Sequence, residues 1–444
     1  MYKRFVFALL FMGLWQCRGP EGLQTNNLSY LYNKQEVGLR PKFNIHPISD
    51  TLFEVHYQVQ TDNFLFSRPT DESDYEARIK IEYRLLPSIE SSTLLDSGWV
   101  HINHRVPKVK NEILEGQFNL HMPDDLEKAM LYLKVYDLNR GSSQANFLWI
   151  NNTNYNSPSY FELLDSNDRL LFKNHIPAGL PFKIRHCLLE NKEIYVSHYR
   201  REFPLALPPY SSNQEESFDI KPDTTFRVPA NHLLSFKEPG FYHFRLDTSQ
   251  WQGFTVQYFY TGFPLVGNHQ QMAEPLRYLT TQKEYSEMQA LMNQPEALKK
   301  WIDDFWIRKG GSSERAKSLV AAYYQRVEEA NRHFSSYLEG WKTDRGIVYI
   351  IYGPPNAVYR SSTGEAWVYG NENSSLSYYF NFLHLDNPFS DNDYSMERSN
   401  QYRYGWGQAI EAWRRGHIYN SKDIRREQDD YDQLQYRSRS PMWY

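Results

Sequence analysis

The side chains that most often carry catalysis or bind metal ions are spread along this chain without forming a recognised pattern. His101 and His104 are the closest pair of histidines, in a segment that reads as a β-strand. Residues three positions apart on a strand face opposite sides, so we expect these imidazoles not to share a metal ion. Asp303 and Asp304 are adjacent in a predicted helix, where both are expected to be mostly solvated. We therefore predict no metal site.

The common motifs of nucleotide binding and hydrolysis are absent from the sequence. There is no HExxH, P-loop, G-x-G-x-x-G or G-x-S-x-G segment. Ser312 and Ser313 lie between two predicted helices, where a helix cap explains them. A pair of glycosidase carboxylates remains an open alternative, because its two members can be distant in sequence. We predict a protein without catalytic residues and without a cofactor.

Charge and composition exclude one class of partner and favour a β-rich core. The formal net charge is −4, which supplies no basic field for nucleic acid. Aromatic residues make up 16% of the chain, and strand-rich domains use such side chains heavily. A glycan-binding surface is the alternative explanation of the aromatic content.

The first residues are typical of an exported protein. Lys3 and Arg4 precede an apolar run at residues 5–15, which is too short to span a bilayer and fits a signal peptide over residues 1–16. The following segment, Leu-Trp-Gln-Cys, resembles a bacterial lipobox, which implies that Cys17 is lipidated; ordinary cleavage nearby is the alternative. Cys187 then has no disulfide partner, and we expect a small buried thiol.

Residues 17–40 are polar and lack periodicity, which indicates a tether between the membrane and the first domain. Apolar and polar residues alternate strictly over residues 53–59, as in a strand with one buried face. Several such segments predict a β-sandwich domain at residues 41–152. A second β-sandwich-like domain is predicted at residues 153–264.

Helical signals begin after residue 264 and define an α+β domain at residues 265–420. Thr281 and Glu284 have the spacing of a capping box, and Pro295 suits the first position of a second helix. A third helix is predicted from an apolar stripe with alternating spacings of three and four. Its members are Val320, Tyr323, Val327, Ala330, Phe334 and Tyr337.

Strand signals return after residue 346. Residues 347–352 form a continuous β-branched and aromatic run, which predicts a strand covered on both faces. Residues 365–369 and 378–383 are predicted to be further strands of a small antiparallel sheet. Residues 421–444 alternate basic and acidic groups and indicate a charged tail, either frayed or partner-binding.

One group of residues around position 340 has a distinctive order. Its members are Gly340, Trp341, Thr343, Asp344, Arg345, Gly346, Tyr352, Gly353, Pro354, Pro355, Glu365 and Trp367. In this order they resemble the signature of the bacterial GWxTD-domain family. The resemblance implies an envelope protein, often an exported lipoprotein, with no established enzymatic activity.

The motif residues themselves favour a structural junction. Gly340 suits a left-handed helix end, and Trp341 suits burial between helix and sheet. Thr343 and Asp344 can bond neighbouring backbone amides, and Arg345 can pair with Asp344 or with the carboxylate at position 365. Pro354 and Pro355 are expected to expose their rings. The alternative makes Asp344, Arg345 and Glu365 a polar ligand site.

These observations predict a multidomain β plus α+β protein that acts as a non-catalytic lipoprotein of the outer membrane. Its partners would be outer-membrane or periplasmic proteins of an assembly or secretion complex. Its contact with the membrane would be the lipid anchor. A surface glycan-binding protein is the first alternative, and an unrecognised hydrolase is the second.

Overall fold

The computed structural model describes residues 27–33, 38–152, 154–177, 179–189, 193–200, 202–211, 220–371 and 377–425. The predicted signal peptide, the predicted lipidation site Cys17 and all but the first five residues of the predicted tail lie outside these ranges. Within them, no helix is long and apolar enough to cross a membrane. Antiparallel sheets occupy the first half of the chain, and helices with a small sheet follow, which confirms the mixed multidomain fold.

The first block consists of two antiparallel sheets with a shared core. Val55, Ile81 and Leu133 lie in that core and come from both sheets. The strands are β1 (Lys42–Pro47), β2 (Leu52–Gln60), β3 (Tyr75–Leu86), β4 (Asp96–Val106), β5 (Ile113–His121), β6 (Lys128–Asp137) and β7 (Ser142–Asn151). One sheet has the order β1-β2-β5 and the other β4-β3-β6-β7.

The second block pairs a two-stranded sheet with a four-stranded one. Phe161 and Ile184 of the small sheet share a core with Val196 and Phe244 of the larger sheet. The strands are β8 (Phe161–Leu164), β9 (Lys183–His186), β10 (Glu193–Tyr199), β11 (Thr224–Pro229), β12 (Gly240–Arg245) and β13 (Phe254–Tyr258). Strands β8 and β9 form the small sheet, and the larger has the order β11-β10-β12-β13.

The three helices predicted after residue 264 begin where the sequence places their first residues. Thr281 and Glu284 make both hydrogen bonds of the capping box, Pro295 opens the second predicted helix, and Gly311 ends it with a φ of 68°. Ser312 caps the third predicted helix. The helices are α1 (His269–Ala273), α2 (Gln282–Gln289), α3 (Pro295–Gly310), α4 (Ser313–Phe334), α5 (Asp344–Tyr352) and α6 (Tyr402–Arg414).

A four-stranded antiparallel meander packs on these helices. Its strands are β14 (Ala357–Arg360), β15 (Gly364–Tyr369), β16 (Tyr378–His384) and β17 (Tyr394–Met396). Trp367 of β15 and Phe380 of β16 are buried in one core with α4 and α5. The two predicted strands at residues 365–369 and 378–383 are therefore present.

The prediction of a strand at residues 347–352 is wrong, because this segment is part of α5. Every residue of α5 is buried, so no exposed face gives the sequence a helical period. Thr343 caps the helix by accepting a hydrogen bond from the Gly346 amide. At the other end, the Arg326 guanidinium donates to the carbonyls of Ile350 and Ile351, at 3.0 Å each.

Two further expectations about the motif residues, the conformation of Gly340 and the exposure of Pro355, are also wrong. Helix α4 ends at Phe334, where the Ser335 hydroxyl bonds back to the Asn331 carbonyl at 2.7 Å. Gly340 instead opens a short 3-10 helix, Gly340–Lys342, and does not have a positive φ. Pro355 is buried, so it does not expose its ring.

Part of the predicted tether is packed against the distant C-terminal region. Residues 27–33, here called the N-terminal strap, contain a 3-10 helix at Ser29–Tyr32. Leu28 and Tyr32 are 2% and 4% exposed and belong to the core around α4 and α5. The Leu28 amide donates to the Val358 carbonyl at 2.8 Å. The polar composition gave no signal of this docking.

Candidate functional site

The motif segment connects α4 to α5 by an unusually close approach of backbones. A Cβ atom on Gly340 would lie 1.8 Å from the Ala330 carbonyl oxygen. A Cβ atom on Gly346 would lie 1.8 Å from the Gly340 carbonyl oxygen. Both positions therefore require glycine for lack of space, and the turn sits directly on α4.

The polar residues of the motif hold this turn in place. The Thr343 hydroxyl donates to the Gly340 carbonyl at 2.8 Å and accepts from the Gly346 amide at 3.2 Å. The Asn331 side chain of α4 accepts from the Trp341 amide at 3.2 Å. The indole of Trp341 is buried, as expected. The bond from the Gly346 amide satisfies a donor in the first turn of α5 that no helical carbonyl can reach.

Glu365 is the centre of a buried cluster of charged and polar groups. Its Oε1 accepts from Arg360 Nε at 2.9 Å and lies 3.4 Å from Arg345 Nη1. Its Oε2 accepts from Trp367 Nε1 at 3.0 Å, and the Tyr32 hydroxyl of the strap lies 3.1 Å from both oxygens. The expected pair between Arg345 and Glu365 is therefore present. Tyr32 and Arg360 were not predicted as members.

The electrostatics keep this carboxylate ionised. Burial by itself would raise the pKa of Glu365, but the cations of Arg360 and Arg345 outweigh it and lower the pKa to about 2. Burial, with the Glu365 charge, raises the pKa of Tyr32 well above its ordinary value. Neither group changes protonation near neutral pH, so the cluster reads as a structural junction rather than an acid–base site.

Asp344 bonds residues that are distant in sequence. Its Oδ2 accepts from the Met396 amide at 2.7 Å, and its Oδ1 accepts from Arg398 Nη2 at 2.5 Å. Arg345 is likewise held from a second side, since its guanidinium lies 3.8 Å from the Tyr394 ring centroid. The two charges thus tie α5 to β17.

An open cleft of about 370 Å³ lies beside the motif, between the second β block and the helices. Lys342, Glu339 and Trp341 line it, and they also line an adjoining recess of about 320 Å³. Burial raises the pKa of Glu274, which lines both cavities. Further aromatic and charged residues on the wall of the cleft are Arg200, Glu202, Phe203, Arg277, Tyr285 and Tyr337.

A larger recess of about 470 Å³ separates the second β block from α4 and the segment at residues 388–392. His175 lines it, and burial with the nearby charges of Lys173 and Lys42 lowers the pKa of His175 to about 4. Burial raises the pKa of Asp391 on the same wall. The imidazole of His175 is therefore neutral near pH 7, and Lys173 and Arg332 place positive charge on the same wall.

The histidine pair and the aspartate pair considered in the sequence analysis do not form a site. His101 is exposed, and His104 points to the other face of β4, with its Nε2 3.3 Å from a Glu112 oxygen. Asp303 pairs with Lys299 at 2.7 Å on the surface of α3. These positions show no common site.

One group of possible metal ligands was not predicted from the sequence. A ligand atom from each of His46, Glu162 and Cys187 lies within 4.8 Å of the other two, and no other such group occurs among the described residues. The three are far apart in sequence, so spacing gave no signal. Burial and the nearby Glu162 charge raise the pKa of the Cys187 thiol to about 12.

Comparison with known proteins identifies the C-terminal part of the chain. The family model described as the GWxTD domain matches residues 240–415. The match begins at β12 and therefore includes two strands of the second β block, as well as the motif turn and the Glu365 cluster. None of the curated proteins compared with the sequence matches it. Residues 240–415 are a GWxTD domain, and this chain is a GWxTD-domain protein.

Proposed function

We propose that this chain is a non-catalytic binding component of an outer-membrane assembly or secretion complex, exported and anchored by lipid at Cys17. The lipid anchor rests on the sequence alone, through the resemblance of residues 14–17 to a lipobox. The binding role rests on the cleft beside the motif. Asp344, Arg345 and Glu365 act as internal braces of the domain in this proposal, and the partner contacts the cleft.

The composition of the cleft is the observation that carries the proposal. Protein interfaces are enriched in aromatic residues and arginine, which form the anchors of most binding energy. Arg200, Arg277, Tyr285 and Phe203 line this cleft together with acidic side chains. A partner segment with aromatic side chains and charges of both signs would fit such a wall.

Glycan binding is the second candidate, favoured by one exposed surface. Trp99 on β4 is 69% exposed, and Lys80 Nζ lies 5.9 Å from its ring centroid. The same ammonium group lies 5.5 Å from the ring of Tyr136. Aromatic faces beside a cation on a sheet could stack on sugar rings. This surface lies on the first block, outside the GWxTD domain.

The test places a photo-crosslinking amino acid at Gln289, an exposed residue of the cleft wall, in the full-length protein in its native envelope. The matched control carries the same amino acid at Tyr404, which is 72% exposed on α6 and does not line the cleft. We expect discrete adducts with envelope proteins from position 289 and none from position 404. Equal labelling from both positions contradicts the assignment of the cleft.

Two further variants separate the alternatives. Cys17→Ala should leave the membrane fraction if the anchor is lipid, and unchanged membrane retention contradicts the anchor. Trp99→Ala should leave the crosslinked adducts unchanged. Retention of the wild type on insoluble polysaccharide that Trp99→Ala abolishes, with no adducts from position 289, would replace the first proposal by the second.

A further inference from the structure

Three side chains of the kind that bind zinc meet where the two β blocks join. His46 lies on β1 of the first block, Glu162 lies on β8 of the second, and Cys187 directly follows β9. One ring nitrogen, one carboxylate oxygen and the thiol sulfur all lie within 4.8 Å of one another. A single ion at their centre would be within ordinary bonding reach after small side-chain adjustments.

The imidazole of His46 is oriented as a metal ligand would be. Its Nδ1 lies 3.0 Å from the Ser159 carbonyl oxygen, to which it donates. This bond places the proton on Nδ1 and leaves a lone pair on Nε2. Metal-binding histidines are commonly held in this way by a carbonyl or carboxylate on the other nitrogen.

The remaining nitrogen of His46 is buried without a partner. The residue is 7% exposed, and Nε2 has no hydrogen bond. Buried polar atoms are nearly always satisfied, because an unsatisfied one has lost its hydrogen bonds to water without replacement. An unpaired acceptor beside a thiol and a carboxylate therefore indicates a ligand at this position.

The other two groups complete a mixed donor set. Glu162 is 9% exposed, and Arg185, its cross-strand neighbour on β9, binds its Oε2. The Arg185 side chain is 45% exposed, so it can turn to solvent when a cation replaces it. The Cys187 sulfur lies 4.0 Å from the same Ser159 carbonyl that holds His46.

We propose that His46, Glu162 and Cys187 form a binding site for one zinc ion that clamps the first β block to the second. One nitrogen, one oxygen and one sulfur suit this borderline-soft ion, whose fourth position would hold water. On binding, the thiol proton leaves to solvent and the thiolate bonds the ion. The ion would add a bonded link between β1 and the β8–β9 sheet to the hydrogen bonds that His46 and Asn44 of β1 already make with Ser159 and Leu171 of the second block.

The experiment uses the full chain with Cys17→Ser, which leaves Cys187 as the one remaining cysteine. The metal-free protein is titrated with Co²⁺ and then with Zn²⁺. We expect a thiolate-to-cobalt charge-transfer band that Zn²⁺ removes, binding of about one ion per chain, and a rise in the thermal midpoint on Zn²⁺ addition.

Three variants test the ligands one by one. Cys187→Ser should abolish the charge-transfer band, and His46→Gln and Glu162→Gln should each weaken Co²⁺ binding at least about tenfold. His101→Gln, which removes an exposed imidazole on β4, is the matched control and should bind as the parent does. Circular dichroism of each metal-free variant checks that the fold is kept.

The contrary results are equally distinct. Absence of the band at millimolar Co²⁺ in the folded parent overturns the site. A band of unchanged affinity in both His46→Gln and Glu162→Gln assigns the cobalt to Cys187 alone and also overturns it. The crosslinking from the cleft does not depend on either result, so this site and the proposed function can fail separately.

Discussion

At the scale of single residues, Glu365 is one carboxylate shared by two arginines, one buried and one half-buried. Arg345 is 2% exposed and the Arg360 side chain is 20% exposed, and each forms an ion pair with this carboxylate. Removing one partner of a buried ion pair leaves an uncompensated charge, which typically costs about 3–5 kcal/mol. Trp367 and the strap hydroxyl lose their acceptor as well. The cluster is therefore a concentrated source of stability.

Glu365→Gln should lower the free energy of unfolding by about 3–5 kcal/mol, as measured by urea denaturation at neutral pH. The matched control is Glu411→Gln, which breaks a surface pair with Arg415 whose side chains are 50% and 77% exposed. That change should stay within about 0.5 kcal/mol. Equal effects from the two substitutions would contradict the role of the cluster.

The difference between wild type and Glu365→Gln should also depend on pH. The folded-state pKa of Glu365 is lowered from 4.5 to about 2, so its stabilisation is present above pH 4.5. As pH falls below 4.5, the carboxyl group becomes protonated, first in the unfolded state, and the folded state loses the free energy that the Glu365 charge contributes. The two unfolding free energies should converge between about pH 4.5 and pH 2, and a constant difference would exclude this linkage.

At the scale of elements, Gly340 sets the distance between α4 and α5. Gly340→Ala would force a methyl group against the Ala330 carbonyl, 1.8 Å away, and should destabilise the protein by about 3 kcal/mol or more. Gly407→Ala is the control, because Gly407 lies in α6 with nothing within 4 Å of its added Cβ. It should stabilise by about 0.5–1 kcal/mol. Thermal unfolding of the two variants checks both signs.

Elements with a local signal could be predicted from the sequence, and elements defined by their surroundings could not. The capping box at Thr281, the terminal glycine at position 311 and the alternating strand β2 follow from interactions within a few residues. Helix α5 is buried on every side, so its apolar run is equally compatible with a covered strand. Tertiary packing stabilises the helical conformation, and Arg326 caps the carbonyls at its C-terminal end.

The same distinction holds for the candidate sites. The pairing of Arg345 with Glu365 could be expected, because both belong to one motif. Tyr32 reaches this cluster from 333 residues away, which no spacing rule indicates. His46, Glu162 and Cys187 are brought together by the joining of two β blocks, so their proximity is a property of the fold alone.

At the scale of the whole molecule, the GWxTD domain is completed by parts of the chain outside it. The strap contributes Leu28 and Tyr32 to its core. From the second block, Tyr199 packs against Phe389. Within the matched range, the Gln257 side chain of β13 donates to the Ser336 carbonyl at 3.0 Å, which links the strands of the second block to the helical region. A boundary at residue 264 would cut through these contacts. The domain and its neighbours therefore depend on each other for stability.

Deletion of residues 1–33 should destabilise the chain by several kcal/mol relative to deletion of residues 1–26. Burial of Leu28 and Tyr32 side chains contributes about 1.5–3 kcal/mol each, and the Glu365 cluster loses a hydrogen bond. The shorter deletion keeps the strap and serves as the matched control. Chemical denaturation of both proteins measures the difference, and identical midpoints would show that the strap is dispensable.

The docked strap also determines which end of the molecule a lipid anchor would hold. Cys17 is ten residue steps from Asn27, whose side chain bonds the backbone of Asn356 and Val358. A fully extended chain covers about 3.3–3.6 Å per residue, so the segment from residue 17 to residue 27 spans at most about 36 Å. With Cys17 lipidated, the GWxTD domain would lie close to the bilayer surface, although the two β blocks lie nearer to Cys17 in sequence. A partner in the same membrane would then meet it by lateral diffusion in two dimensions.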